Sequence, residues 1–408
     1  MKRYLCWGTL LLTALFLIGC VYQHSRKPNA DLTYESWQKQ VDTNPSGWTR
    51  GSSSWFTEGV APTVDQLNNR MPMNAAMSTM MVRVPDSFTN IKVNGHFQVQ
   101  IFGTSDTNSV YLYGPNAAVR EVNVRVTKDT LYLEQSKDAP GNMDCVIIRV
   151  GIRNLKNLNQ MGTGRIEGRL IRSSDLCVSS SGSGNIYLGG AFNVTRIIST
   201  GRGSISLFGA ITPVLDITTA GSGSVNVSGN VGIRSITHHG YGDVNIVGAN
   251  SDGLTVHADG KGKIGVNGRV AINEIDARDR TCVYIYYVNG DMLRAYATDH
   301  ARIGLAGCTK NLYVDAGKGS RFDGHYLYTY DAYVRAHDAA HINVNGANKV
   351  FAAATENSSV YFFGSPNILT QFFRENGVVL PILTDKPRNA RNYCPYYKRR
   401  HSTYKGEL

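Results

Sequence analysis

Asp279 and Asp299 stand 20 residues apart, Asp338 and Glu356 stand 18 apart, and each pair holds the same place in a repeating pattern. If that pattern stacks in register, the members of each pair lie one rung apart, roughly 5 Å. Two carboxylates at that distance suit the acid and nucleophile of retaining glycoside hydrolysis. Parallel β-helices do host polysaccharide lyases and hydrolases. A second reading is structural: aspartate tolerates the left-handed backbone of a tight corner and bonds to its own main chain. Lys318 falls between the pairs and would neutralise their repulsion, which suits the structural reading. A calcium clip is a third reading.

Other residues with chemistry to offer are less ordered. His238, His239, His257, His300, His325, His337 and His341 share no register, so they read as surface residues and imply no metal. Serines in the turns have no base at a fixed offset, so no catalytic triad, and no cofactor, is expected. Aromatic residues are more regular. Tyr284 and Tyr286, and later Tyr361 and Phe363, hold outward positions with His325 between them, and Tyr313 and Tyr333 repeat at a spacing of 20 on another strand. Such a face could stack sugar rings, or it could be cross-strand pairing that steadies a sheet. Asn226 and Asn245 share one outward position and should form a short ladder.

The elements that must position these residues are repeats. From Gly162 to Gly364 the chain reads G-x-G-x-Φ-x-Φ-x-G, with the first apolar residue at Ile166, Ile186, Ile205, Val225, Val244, Ile264, Val283, Ile303, Phe322, Ile342 and Val360. The steps are 18 to 20 residues. Counted from that anchor, position −2 is always small, position +4 is glycine in eight of eleven repeats, and position +2 is usually apolar. Position −4 is glycine in the first six repeats and then Asp279, Asp299, Lys318, Asp338 and Glu356. A second apolar alternation precedes each anchor, as in Leu254-Thr255-Val256, so each repeat is expected to carry two short strands with tight corners between them. A repeat that short cannot bury its own apolar face. Winding lets each strand pair in parallel with its copy one turn on. The fold expected is all-β: a right-handed parallel β-helix with coils of about 19–20 residues.

The opening of that region carries a resemblance. Phe88-Thr-Asn-Ile91-Lys-Val93-Asn-Gly95-His-Phe97-Gln-Val99, followed by turns such as Ser181-Gly-Ser-Gly184 and Ala220-Gly-Ser-Gly223, resembles the head GIN domain family of putative auto-transporter adhesins. The resemblance covers roughly 86 to 346. It implies a parallel β-helix-like fold in a bacterial envelope protein and brings no catalytic residues. The later coils and the C-terminal tail depart from the family.

The ends of the chain set location. Lys2 and Arg3 precede an apolar run from Leu5 to Ile18, and Leu17-Ile18-Gly19-Cys20 matches a bacterial lipobox, so Cys20 is the expected lipid-attachment residue after cleavage of 1–19. Valine after Cys20 favours the outer membrane in enteric-type sorting. Residues 20–85 read as a tether and N-terminal cap, with Trp37, Trp48 and Trp55 able to dock on the solenoid or stack a ligand, and Met71, Met73, Met77, Met80 and Met81 as capping residues. The helix proper is expected over 86–364. Residues 365–408 read as a C-terminal cap, in which Phe372, Phe373 and Val378 to Ile382 cover the open end, and a tail with seven Lys or Arg from Lys386 to Lys405.

A formal charge of +11 in an exported protein favours anionic partners such as lipopolysaccharide or acidic glycan, and export disfavours nucleic acid. Beyond Cys20 five cysteines remain, at 145, 177, 282, 308 and 394, an odd number that prevents complete internal pairing. They are out of register, so no disulfide ladder is expected. Three functions stay open. The first is a non-enzymatic surface lipoprotein binding glycan or another envelope component. The second is a polysaccharide hydrolase or lyase using Asp279 and Asp299. The third is a periplasmic scaffold held to anionic lipid by its tail.

Overall fold

Alternating β-branched and polar residues can bury one face of a strand only if another strand covers it. The chain solves this by stacking on itself. A computed structural model of the protein describes residues 77–382, apart from 86, 105 and 140–142. Ten strands of 14 to 16 residues follow one another, from β9 (Ile166–Ser180) to β18 (His341–Ala354), and each pairs in parallel with the next. Anchors lie opposite anchors: Ile186 faces Ile166 and Ile205, and Val244 faces Val225 and Ile264. The anchors are at most 1% exposed and line one continuous core. With its terminal rungs the stack makes a parallel β-solenoid of about 12 turns.

The coil is built differently from the two-strand expectation. Its two apolar alternations belong to one long strand that bends at the +4 glycine instead of breaking there. Gly209 and Gly248 sit at φ 81° and 83°, where a side chain is strained, and a Cβ on Gly209 would lie 2.1 Å from the Gly190 carbonyl oxygen one coil back. Register shifts follow these glycines, so the second half of each strand re-enters the ladder after a bulge.

Two kinds of corner close the coils. Through Gly262 the Gly-x-Gly corners have ordinary φ values and simply stack tightly. From Asp279 onward the corner is left-handed. Asp299-His300, Lys318-Gly319, Asp338-Ala339 and Glu356-Asn357 all have φ between 50° and 71°. Each pair is closed by a bond from the residue after it to the carbonyl before it, as in Ala340 N–H to His337 O at 3.1 Å. Two successive positive φ values with that bond make a type I′ turn. Neighbouring turns bond to each other, Gly319 N–H to Asp338 O and Ala339 N–H to Glu356 O, both at 2.8 Å. Glutamate is a poor occupant of φ 57°. Glu356→Gly is therefore expected to hold or raise the thermal midpoint, whereas Glu356→Val should lower stability by about 1–2 kcal/mol. Paired denaturation curves check both.

The first rungs are not laid down in chain order. β2 (Asn90–Asn94) lies between β6 (Thr130–Gln135) and β8 (Asn157–Gln160), and β3 (Gln98–Gly103) lies between β7 (Ile147–Ile152) and β9, all in parallel. The chain therefore starts in the second rung and returns to build the first. β4 (Ser109–Pro115) runs antiparallel to β7, β1 (Met77–Val82) antiparallel to β4, and β5 (Val122–Thr127) antiparallel to β6. With the short helix α1 (Asn116–Arg120), these strands continue the sheet beyond the first rung in antiparallel pairing.

The far end corrects a second expectation. Residues after Gly364 do not fold over the solenoid as a lid. β20 (Ile368–Phe373) pairs in parallel with β18, and β21 (Val378–Ile382) with β19 (Ser359–Phe363), so they form one more coil. Val379 faces Val360, Glu375 takes the left-handed corner at φ 55°, and Phe372 and Phe373 are about 60% exposed. Cys145, Cys177 and Cys282 are free thiols, and Cys308 is disulfide-bonded. Cys20, the leader, Trp37, Trp48, Trp55 and the basic tail lie outside the described residues.

Candidate functional site: an aromatic groove on the later coils

Three late strands bring the repeated aromatics together. Tyr313 on β16 (Arg302–Ala316), Tyr333 on β17 (Arg321–Ala336) and Phe351 on β18 occupy one register position on successive coils. Tyr313 and Tyr333 stack at 6.0 Å between centroids, and Tyr333 and Phe351 at 4.9 Å with planes only 3° apart. Parallel planes at that spacing mean that the rings lean on each other in an offset stack. Cross-strand pairing thus occupies part of their faces, and the Tyr313 end of the stack stays open, 54% exposed.

Two residues further along each strand runs a second outward file: Asp315, Arg335, Ala353 and Phe372. Between the files lies a groove of about 310 Å³, lined by Tyr313, Tyr333, Phe351, Asp315, Arg335 and Phe372 among others. Ala353 is the low point, because it is the only small residue in a file of larger ones. Phe351 was not singled out from the sequence, although it falls 18 residues after Tyr333, one repeat on.

Charged groups edge this groove. Arg335 Nη1 lies 3.9 Å from Asp315 Oδ2, and His337 Nε2 lies 3.2 Å from Asp315 Oδ1. His337 Nδ1 meets Asp338 Oδ2 at 2.8 Å, a bond that holds the Asp338 carboxyl below the usual carboxylate range. The Asp338 N–H donates to Glu356 Oε2 at 3.3 Å. His337, Asp338 and Glu356 offer ligand atoms within 4.8 Å of one another. Both ring nitrogens of His337 already face carboxylates, and the three read as a hydrogen-bonded corner.

The carboxylate pair singled out from the sequence stands elsewhere. Asp279 and Asp299 occupy left-handed corners at φ 58° and 57°, and Asp299 Oδ1 is 3.3 Å from Lys318 Nζ. Neither lines the groove. Their position is accounted for by the backbone of the corner, as is that of Lys318. Asn245 Nδ2 donates to Asn226 Oδ1 at 3.0 Å, the ladder expected. His325 stacks on Phe363 at 3.8 Å, and burial pushes its pKa down. His238 departs from the surface reading: it is 0% exposed, facing the core, with Nδ1 2.6 Å from Thr219 Oγ1.

Comparison with known proteins finds one family model, over the earlier coils, and similar solved structures over about three quarters of the chain. The family model described as putative auto-transporter adhesin, head GIN domain, matches residues 87–269. The match stops ten residues before Asp279, where the corners change type, so the aromatic groove lies beyond it. Similar solved structures include a putative adhesin from Bacteroides fragilis NCTC 9343, at 14% identity over 75% of this chain and 97% of that one, with a TM-score of 0.25. A putative lipid binding protein from Parabacteroides distasonis ATCC 8503 matches at 12% identity over 76% and 98%, TM-score 0.29. A putative adhesin from Parabacteroides merdae ATCC 43184 matches at 10% over the same shares, TM-score 0.26. No curated protein matches the chain.

Proposed function

We propose that this chain, whose residues 87–269 belong to the head GIN domain family, is a non-enzymatic cell-envelope lipoprotein that binds a glycan in its aromatic groove. The observation that carries the reading is the stacked file Tyr313, Tyr333 and Phe351 beside Asp315 and Arg335. Sugar rings present apolar C–H faces and a rim of hydroxyls. The exposed end of the aromatic stack and the Ala353 low point suit the first. The carboxylate and guanidinium suit the second, since one accepts and the other donates hydrogen bonds. A rigid solenoid holds these groups at fixed spacing without ordering cost on binding. Cys20 supplies the lipid anchor, the residues between it and β1 the reach, and the basic tail attraction to anionic envelope components.

Binding of purified envelope polysaccharide to the mature chain tests this. Tyr333→Ala with Phe351→Ala should weaken it at least about tenfold, the scale of losing aromatic anchors. Undiminished binding in a variant with the wild-type thermal midpoint would remove the groove from the proposal. Protease shaving of intact cells, wild type beside Cys20→Ala, tests the location. Digestion in intact cells supports the adhesin-like reading, and protection until the outer membrane is opened favours the periplasmic scaffold.

A further inference from the structure

Five consecutive rungs place a polar side chain at the same inward position: Gln160, Ser180, Ser199, Thr219 and His238. All are 2% exposed or less. The file ends abruptly. The next residues at that position are Ala258, Ala277, Ala297, Ala316, Ala336 and Ala354. At this inward position polar residues therefore occur only within the matched half of the solenoid, and the buried polar residues of the later coils, such as Thr309 and Ser320, stand elsewhere and bond to backbone carbonyls.

Most of the polar atoms in this file lack a protein partner. Gln160 Oε1, Ser180 Oγ, Ser199 Oγ and His238 Nε2 are buried with none. Gln160 spends its Nε2 on the Gly164 carbonyl, and Thr219 and His238 bond to each other. The reason lies in the spacing. Adjacent rungs are roughly 4.8 Å apart. A histidine is long enough to reach back across that gap to Thr219, but two serine hydroxyls one rung apart are beyond direct hydrogen-bond distance. They are, however, well placed for one water that bonds to both at a near-tetrahedral angle. An unpartnered buried hydroxyl bears its full desolvation cost, so several stacked in one file would be a serious fault in a core whose other buried hydroxyls, such as Thr309, Ser320 and Ser358, have partners.

We propose that the solenoid interior holds a file of ordered waters between Gln160 and Thr219, one in each gap that the side chains do not span, with the Thr219–His238 bond closing its end. Each water accepts from one hydroxyl and donates to the next polar atom, so the serine protons find acceptors and Gln160 Oε1 finds a donor. The alanine half is dry. The file also has a use. Near-identical coils could slip past one another, and a line of polar groups that is satisfied only in one pairing fixes which coil sits on which.

A crystal structure of the mature chain, at a resolution that shows ordered solvent, should reveal waters bridging Gln160, Ser180, Ser199 and Thr219 and none beside Ala277 to Ala354. Serine hydroxyls bonded to carbonyls of their own coil, with no density between rungs, would overturn the proposal. In solution, water-¹⁷O relaxation dispersion counts long-lived internal waters. Ser180→Ala combined with Ser199→Ala takes a partner from all three gaps and should lower that count by about three, with an unchanged circular dichroism spectrum. If the double variant does not fold, Ser199→Ala alone, which borders two of the gaps, should lower it by about two. An unchanged count in a folded variant would overturn the proposal.

Discussion

Gly203→Ala is expected to destabilise the solenoid by about 3 kcal/mol or more, among the largest effects a single methyl group can have. The φ of Gly203 is ordinary, so the cost is not dihedral strain. It is contact: a Cβ there would lie 1.9 Å from the Gly184 carbonyl oxygen and 2.6 Å from its carbon. Both atoms are backbone and cannot rotate away. Gly184 is itself stacked on Gly164, with a Cβ placed 2.0 Å from that residue's oxygen, so a shift at one corner is passed to the next. Stability in such a stack is roughly a sum of coil and interface terms. The break should therefore expose the neighbouring coils to protease before the far ones. Gly189→Ala is the control. Its Cβ would find only the Gly168 oxygen, at 3.9 Å, and stability should stay within about 0.5 kcal/mol of wild type. Chemical denaturation of the two variants side by side gives the comparison, and equal midpoints would show that the corners tolerate separation.

That contrast explains what could be read in advance. Glycine at −4 and −2 marks a corner in any stacked repeat, and the period of anchors fixed the architecture before any coordinates. The substitution of Asp279, Asp299, Lys318, Asp338 and Glu356 for those glycines pointed correctly to a left-handed corner, because aspartate is a usual non-glycine occupant. Lysine and glutamate at the same place show that position, not chemistry, sets the conformation. The +4 glycine does not reveal in sequence whether the two apolar alternations are separate strands or one bent strand, because glycine serves both purposes and only the ladder distinguishes them. The final coil was hidden by Pro381, which stands where other repeats carry an apolar residue, although Gly377 and Val379 keep the spacing. The return of β6 and β7 to precede β2 and β3 leaves no local trace, since strand order depends on pairing between distant segments. The groove was half legible. Tyr313 and Tyr333 could be matched by their spacing, but Phe351 and Phe372 acquire meaning only when Ala353 is seen to leave room between them.

His238 gives the second large effect, through acid. The side chain is fully buried, and burial pushes its pKa below the ordinary imidazole value; His239 pushes the same way, while Asp243 and Asp259 pull upward. In the unfolded chain the group titrates near 6.5. Because the folded value is the lower one, the unfolded state takes up the proton first as pH falls. The contribution to stability is thus fully present above about pH 6.5 and is lost progressively below it. His325 and His341 are also lowered by burial and add in the same direction. Asp216, held down by Arg234, gives way only in the carboxylate range, well below this window. The thermal midpoint should therefore fall between about pH 7.5 and 5.5, most steeply in the lower half. His238→Gln separates the buried residue from the other two. Glutamine already serves at this inward position in Gln160, can donate to or accept from Thr219, and does not titrate. The variant should show a shallower fall over the same range. Superimposable slopes for wild type and variant would mean that His238 takes up its proton in the folded state at no cost, which a fully buried ring bonded to Thr219 should not do.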